Sequence, residues 1–72
     1  MINIQKLKGK IIEKGLSISE LAQKIDINRA TLYRKLKDNG ENISIKEANL
    51  IVKELGLTVE EANSIFFENY VA

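Results

Sequence analysis

The chain contains no cysteine, no histidine and no proline among its 72 residues. Without cysteine and histidine, it has no disulfide, no zinc finger, no thiolate nucleophile and no histidine for acid–base catalysis. It also lacks a glycine-rich phosphate loop and a pair of carboxylates in an apolar setting. We therefore expect a protein that is not an enzyme and that uses no cofactor and no metal.

Long hydrophobic runs are also missing. No stretch is long or apolar enough for a signal peptide or a membrane span, so we expect a soluble, cytoplasmic protein with no membrane partner. No low-complexity tract or linker-like segment divides the chain, and 72 residues leave room for one domain. We expect that domain to span residues 1–72 and to bury a modest core.

The apolar residues recur with helical spacing throughout, without strand-like alternation, which predicts an all-α fold. The pattern gives five short helices. Their expected bounds are about Asn3–Lys14, about Ile18–Ile25, Arg29–Lys37, about Ile45–Leu55 and a fifth that begins after Thr58. The first helix is amphipathic through Ile4, Leu7, Ile11 and Ile12, and the expected buried stripe of the fourth is Ala48, Ile51, Val52 and Leu55. The fifth carries Val59, Ala62, Ile65 and Phe66, of which the last three form its apolar stripe.

Three helix starts carry a capping box, in which a Ser or Thr is followed three residues later by Glu. The boxes are Ser17 with Glu20, Ser44 with Glu47 and Thr58 with Glu61. Two of them follow a Gly-Leu pair, Gly15-Leu16 and Gly56-Leu57, which is typical of a helix end with a hydrophobic return. Gly9 lies inside the first helix, where it either marks a close approach of another helix or has no special role.

Residues 17–37 have the pattern of a helix-turn-helix. The first helix of the motif would be buried through Leu21, Ala22 and Ile25, and the second through Leu32 and Leu36. A short turn forces the two helices to cross closely, which accounts for the small Ala22 between them. The second helix would then direct a cationic and aromatic set outward, as a helix in the major groove of DNA requires. That outward set is Arg29, Tyr33, Arg34 and Lys37.

The net charge of +1 conceals a strong asymmetry. Residues 1–37 carry nine cations and three acids, whereas residues 38–72 carry two cations and seven acids. A basic half beside an acidic half is typical of a protein with one face for nucleic acid, although surface lysines can also be merely solubilising. The helix-turn-helix lies in the basic half, which favours the functional interpretation.

These residues resemble the phage repressor and Cro-type helix-turn-helix family, whose fold is the lambda-repressor-like domain. The resemblance covers nearly the whole chain, and Leu21, Ala22, Ile25, Ile27 and Leu32 match the family's core positions. It implies a five-helix all-α domain with the motif at helices 2 and 3. It also implies a transcriptional regulator that binds a double-stranded DNA operator.

The motif departs from the family at two positions. Asp26 stands where the family often has Gly, and it must adopt the left-handed backbone of the turn, which Asp tolerates better than most residues. Ile18 stands where the family often has a Gln that contacts DNA. The phosphate anchor would then pass to Ser17 or Ser19, through a hydroxyl or a backbone N–H.

Candidate DNA contacts follow from the motif, each with an alternative. Arg29 and Arg34 would contact guanine or clamp phosphate. Asn28 would cap the recognition helix and also contact a base or phosphate, or serve as the cap only. Thr31 would touch DNA or be solvated, and Tyr33 would contact DNA or pack on the first helix. The remaining candidates, which would meet the phosphate backbone, are Gln23, Lys37 and Asn39.

The apolar chain end suggests self-association. Adjacent Phe66 and Phe67 cannot both face one core, so Phe67, Tyr70 and Val71 are candidates for the interface of a weak homodimer; alternatively, the tail covers the monomer core. A different class of function is a protein-interaction module of the antitoxin or antirepressor type, with a protein partner and only weak DNA contact. The basic outward face favours DNA binding, whereas Ile18 slightly favours the protein partner.

Overall fold

The computed structural model describes residues 2–67 and has five α-helices over that range. The bounds agree with the helical periodicity to within one residue at the ends that it predicts. The helices are α1 Ile4–Glu13, α2 Ile18–Lys24, α3 Arg29–Lys37, α4 Ile45–Leu55 and α5 Val59–Phe66. Tyr70 and Val71 lie outside the described residues.

Each helix begins with a side chain that accepts a backbone N–H of the first turn. The three predicted capping boxes are confirmed. In each, the Ser or Thr hydroxyl accepts the Glu N–H at 3.1 Å, and the Glu carboxylate accepts the N–H of the capping residue at 2.9 Å. These contacts satisfy backbone donors that a helix start would otherwise leave unpaired.

Each of the helices α1 to α4 is followed by a residue in the left-handed conformation. The residues are Gly15, Asp26, Asn39 and Gly56, with φ between 60° and 76°. After each, the next N–H donates to the carbonyl five residues earlier, as Leu16 does to Ile11 at 3.0 Å. This is the Schellman arrangement, and it confirms the expected left-handed turn at Asp26.

The core lies where the five helices converge and is entirely apolar. It brings the helix-turn-helix together with α1, α4 and α5, so the motif rests on the other three helices. The buried residues are Leu7, Ile11, Leu21, Ala22, Ile25, Leu32, Leu36, Ile51, Leu55, Leu57, Ile65 and Phe66.

Two apolar residues of the helical pattern are exposed. Ile12 is 75% exposed and Val59 is 76% exposed. Each helix residue is rotated about 100° from the one before it, so Ile12 points away from the core that Ile11 enters. Val59 is the first residue of α5 and lies one turn or more before Ile65 and Phe66, which are buried. The buried stripes are therefore narrower than the apolar pattern.

Gly9 marks no close approach of helices, since a Cβ atom added there would meet no neighbour within 4 Å. In the part of the chain that the structure describes, no helix is both long enough and apolar enough to cross a membrane.

Candidate nucleic-acid interface

Ala22 lies shortly before the turn from α2 to α3. This residue is 1% exposed, and its carbonyl accepts the N–H of Ile27 at 3.0 Å, which closes the turn between α2 and α3. Leu21 and Leu32 are buried as well. A small, buried residue here is what we expect where two helices cross closely.

Helix α3 separates into a buried face and an exposed face. Leu32 and Leu36 are 1% and 2% exposed and anchor the helix to the core. The opposite side carries cations, a phenol and one methyl group, and α3 contains no acidic residue. The exposed set agrees with the predicted outward set and adds Ala30, which the motif pattern did not identify. It comprises Arg29, Ala30, Tyr33, Arg34 and Lys37.

Asn28 caps α3 with its side-chain oxygen, which accepts the N–H of Ala30 at 2.8 Å and that of Thr31 at 3.4 Å. The oxygen is committed to the helix, whereas the NH₂ group remains a donor. The residue is exposed, so capping and a contact with DNA are compatible.

The start of α2 offers fewer anchoring groups than expected. The backbone N–H of Ser17 donates to Glu20, and its hydroxyl oxygen accepts the Glu20 N–H. A phosphate contact by Ser17 therefore depends on the hydroxyl hydrogen alone. Ser19, the second residue of α2, is half-buried, as is Ile18 before it.

The remaining candidates occupy different surroundings. Gln23 lies exposed in a cleft of about 430 Å³ between α2 and α3, which Ser19, Asp26 and Arg29 also line. Thr31 is half-buried, one step from the exposed face of α3. Asn39 is exposed just beyond α3 but has a φ of 62°, so it serves the helix end as well.

Eight of the nine cations of the basic half fall into two groups, and the ninth, Lys6, donates to Ser64. Lys10 pairs with Glu13 and Glu61, and Lys35 pairs with Glu47. A second group is exposed and makes no ion pair with any residue between 2 and 67. Three of this group lie on α3, so the unpaired positive charge is concentrated there. The group is Lys8, Lys14, Lys24, Arg29, Arg34 and Lys37.

Lys35 is a residue whose role the sequence did not reveal. It is one of the nine cations of the basic half but not part of the predicted outward set, and its side chain turns back to α4. Its ammonium nitrogen lies 2.7 Å from both carboxylate oxygens of Glu47. The helical rotation of about 100° per residue could have indicated this, because it turns Lys35 away from the exposed face on which Arg34 lies.

The carboxylates of Glu20 and Glu47, near the interface, serve the structure as helix caps. Burial raises the pKa of Glu47, but hydrogen bonds from Lys35 and from the Ser44 N–H outweigh it and lower the pKa overall. Among residues 2–67, no three His, Cys, Asp or Glu side chains group to hold a metal ion. Apart from the methyl group of Ala30, the exposed face of α3 presents hydrogen-bond donors and positive charge, the groups that bind phosphates and base edges.

The sequence model of a protein family, described as the Cro/C1-type HTH DNA-binding domain, matches residues 6–68 of the chain. The chain therefore belongs to this family, a class of all-α helix-turn-helix DNA-binding domains that are not enzymes. The match extends from within α1 to the end of the described residues, so it includes the motif and its supporting helices. Comparisons with curated proteins and with solved structures found no significant match.

Proposed function

We propose that this protein is a sequence-specific regulator of transcription, repressor-like and of phage or bacterial origin, whose helix α3 enters the major groove of double-stranded DNA. The observation that carries the proposal is the composition of the exposed face of α3. Arg29, Arg34 and Lys37 project from it with no acid on the same helix. Within a chain of nearly neutral net charge, this is where phosphate attraction and base recognition combine.

The positions of the side chains suggest a division of roles. Arg29 lies in the first turn of α3 and Arg34 in the second, so both can reach guanine edges from one helix. The exposed Ala30 presents only a methyl group beside Arg29, which lets the helix backbone approach the base pairs closely. Tyr33 projects from the same face, 49% exposed, and can donate its hydroxyl to a phosphate.

The flanking contacts would position the helix rather than read the sequence. Before α3, Gln23 is exposed on α2 and the NH₂ group of Asn28 is available. After it, Lys37 and Asn39 are exposed at the helix end, where they would meet the phosphate backbone. The remaining candidates are the hydroxyl groups of Ser17, Ser19 and Thr31.

We also propose that residues 1–72 act as one domain that dimerises weakly. Phe66 is 4% exposed, whereas Phe67 is 47% exposed, with ring centroids 6.5 Å apart. The exposed ring of Phe67 is the part of the apolar chain end that we propose for the interface. Pairing it with Tyr70 and Val71 across a two-fold axis would bury an apolar patch and place two α3 helices one turn of DNA apart, about 34 Å. The protein would act in the cytoplasm, where bacterial and phage DNA are found.

The test is selection of bound duplexes from a random library, followed by measurement of the selected site at several salt concentrations. We expect enrichment of one sequence and affinity that falls steeply with salt, as phosphate contacts require. Two symmetric half-sites would support the dimer, and sedimentation of wild type against Phe67→Ser would test it directly. Failure to enrich any sequence, with salt-insensitive binding, would favour the protein-interaction module instead.

A further inference from the structure

Beside the exposed face of α3, two adjoining clefts of about 390 Å³ and 240 Å³ separate α3 from α1 and the start of α2. They share Lys8, Ile18 and Tyr33, so they form one continuous depression. Its floor is apolar, with Ile12 at one end, 75% exposed. We name this surface, formed by Ile12, Ile18 and Tyr33, the isoleucine cleft.

The core accounts for Ile18, which packs against it, but not for Ile12 and Tyr33. Ile12 points away from the core that Ile11 enters, and Tyr33 is 49% exposed although it stands next to the buried Leu32. A DNA duplex on α3 would cover Tyr33 but gives no reason for an isoleucine at position 12, on a different helix. An apolar side chain this exposed, next to two more, is typical of a surface that contacts a protein.

The rim of the isoleucine cleft carries charge of one sign. Lys8, Arg34 and Lys37 line it, and no acidic residue does. All three are exposed, and none forms an ion pair within the range that the structure describes. A ligand that complements this surface is apolar in the middle and negative at the edges.

We propose that the isoleucine cleft docks an acidic amphipathic segment of a partner protein and that this binding excludes DNA. An apolar side chain of the segment would cover Ile12 and Ile18, and its carboxylates would meet Lys8, Arg34 and Lys37. Because the segment would cover Tyr33 and Arg34, it could not bind together with an operator. This exclusion of DNA rests on the proposed function. Docking itself depends only on the cleft.

The charge of the rim distinguishes this surface from a larger groove, of about 540 Å³, between α4, α5 and the segments containing Ile2 and Ile43. That groove is also apolar, but the one charged residue lining it is acidic, Glu41. It would repel the segment that the isoleucine cleft attracts. Ile45 lines that groove and is 78% exposed, so it provides a matched control for Ile12.

The test uses the whole chain and a fluorescent synthetic peptide that forms a helix, with Leu at positions i, i+3, i+4 and i+7 and Glu elsewhere. Two control peptides replace Leu with Ser or Glu with Lys. Fluorescence anisotropy measures binding without DNA, for wild type, Ile12→Ser and Ile45→Ser. We expect binding of the Leu-Glu peptide alone, weakened about tenfold by Ile12→Ser and unchanged by Ile45→Ser.

Random duplex DNA is then added to the bound peptide, and we expect it to displace the peptide. Three results would overturn docking at the cleft: no binding of the Leu-Glu peptide, equal binding of the Ser-Glu peptide, or equal loss in both isoleucine variants. If the peptide binds as expected but DNA does not displace it, exclusion of DNA is wrong. Each isoleucine variant is also titrated with DNA alone, and Ile12→Ser should bind DNA as wild type does. This titration distinguishes failure of the proposed function from failure of docking at the cleft.

Discussion

The ammonium nitrogen of Lys35 lies 2.7 Å from both carboxylate oxygens of Glu47, and this contact joins the recognition helix to the start of α4. The same carboxylate accepts the N–H of Ser44 at 2.9 Å, so one group both caps α4 and holds α3. The side chains are 22% and 17% exposed. This degree of burial makes the pair more sensitive to substitution than a fully solvated ion pair.

Glu47→Gln should lower the free energy of unfolding by about 1–2 kcal/mol, after allowance for partial solvent screening. The amide oxygen can still accept the Ser44 N–H, so the loss reports mainly on the contact with Lys35. Urea unfolding measures it. Glu54→Gln, an exposed neighbour on the same helix, is the control and should change little. Equal stability of the two variants would show that the pair contributes nothing.

A second ion pair gives a pH dependence. Hydrogen bonds from Lys10 and from the Thr58 N–H lower the pKa of Glu61 from 4.5 to about 2. A lowered pKa means that the folded state favours the carboxylate. This contribution is therefore present above pH 4.5 and is lost as the pH falls through about 2.

Denaturant unfolding at several pH values checks this expectation against Glu61→Gln, which keeps an acceptor for the Thr58 N–H. Wild type should be the more stable above pH 4.5, and the difference should shrink as the pH falls towards about 2. A difference that stays constant over this range would assign the effect to packing or capping. The pKa of Lys10 is raised by Glu61 and then Glu13, so its contribution is lost only as the pH rises above 10.5.

Two glycines should respond in opposite ways to alanine. Gly40 has a φ of 72°, and an added Cβ would lie 3.0 Å from the Cδ1 atoms of Ile2 and Ile4. Gly40→Ala should therefore lower the unfolding free energy by about 1–3 kcal/mol. Gly9 lies inside α1 with open space around it, so Gly9→Ala should raise stability by about 0.5–1 kcal/mol. Thermal unfolding of both variants checks the signs, and destabilisation by Gly9→Ala would contradict the free space at that position.

The sequence predicted most of the fold because local signals marked both ends of its helices. Capping boxes fixed three starts, and the Gly-Leu pairs fixed two ends. The exposure of Ile12 and Val59 was not predictable, since an apolar residue beside a stripe does not show whether a neighbouring helix reaches it. The contact between Lys35 and Glu47 was hidden for a related reason: it depends on how α3 and α4 pack, which the charges of the two residues do not show.

Ala22→Leu tests the crossing of α2 and α3. The 1% exposure of Ala22 leaves no space for three further carbon atoms, so the helices must move apart or the side chain must be strained. We expect a loss of about 1–3 kcal/mol in unfolding free energy and weaker DNA binding, because α3 would be displaced. Ala30→Leu, on the exposed face of α3, is a control for stability and should have little effect on unfolding. A fully stable Ala22→Leu variant would mean that the helices do not meet there.

The last prediction concerns the division between reading bases and holding phosphates. If Arg34 contacts a guanine, Arg34→Ala should weaken binding to the selected site by about 1–3 kcal/mol and relax the preference at one base pair. If it contacts phosphate, affinity should fall evenly across sequences, with a smaller salt slope. Lys46→Ala removes an exposed cation from α4 and controls for net charge. Titration of matched and mismatched duplexes distinguishes the two roles. If Arg29→Ala and Arg34→Ala both bind DNA as wild type does, α3 does not enter the major groove.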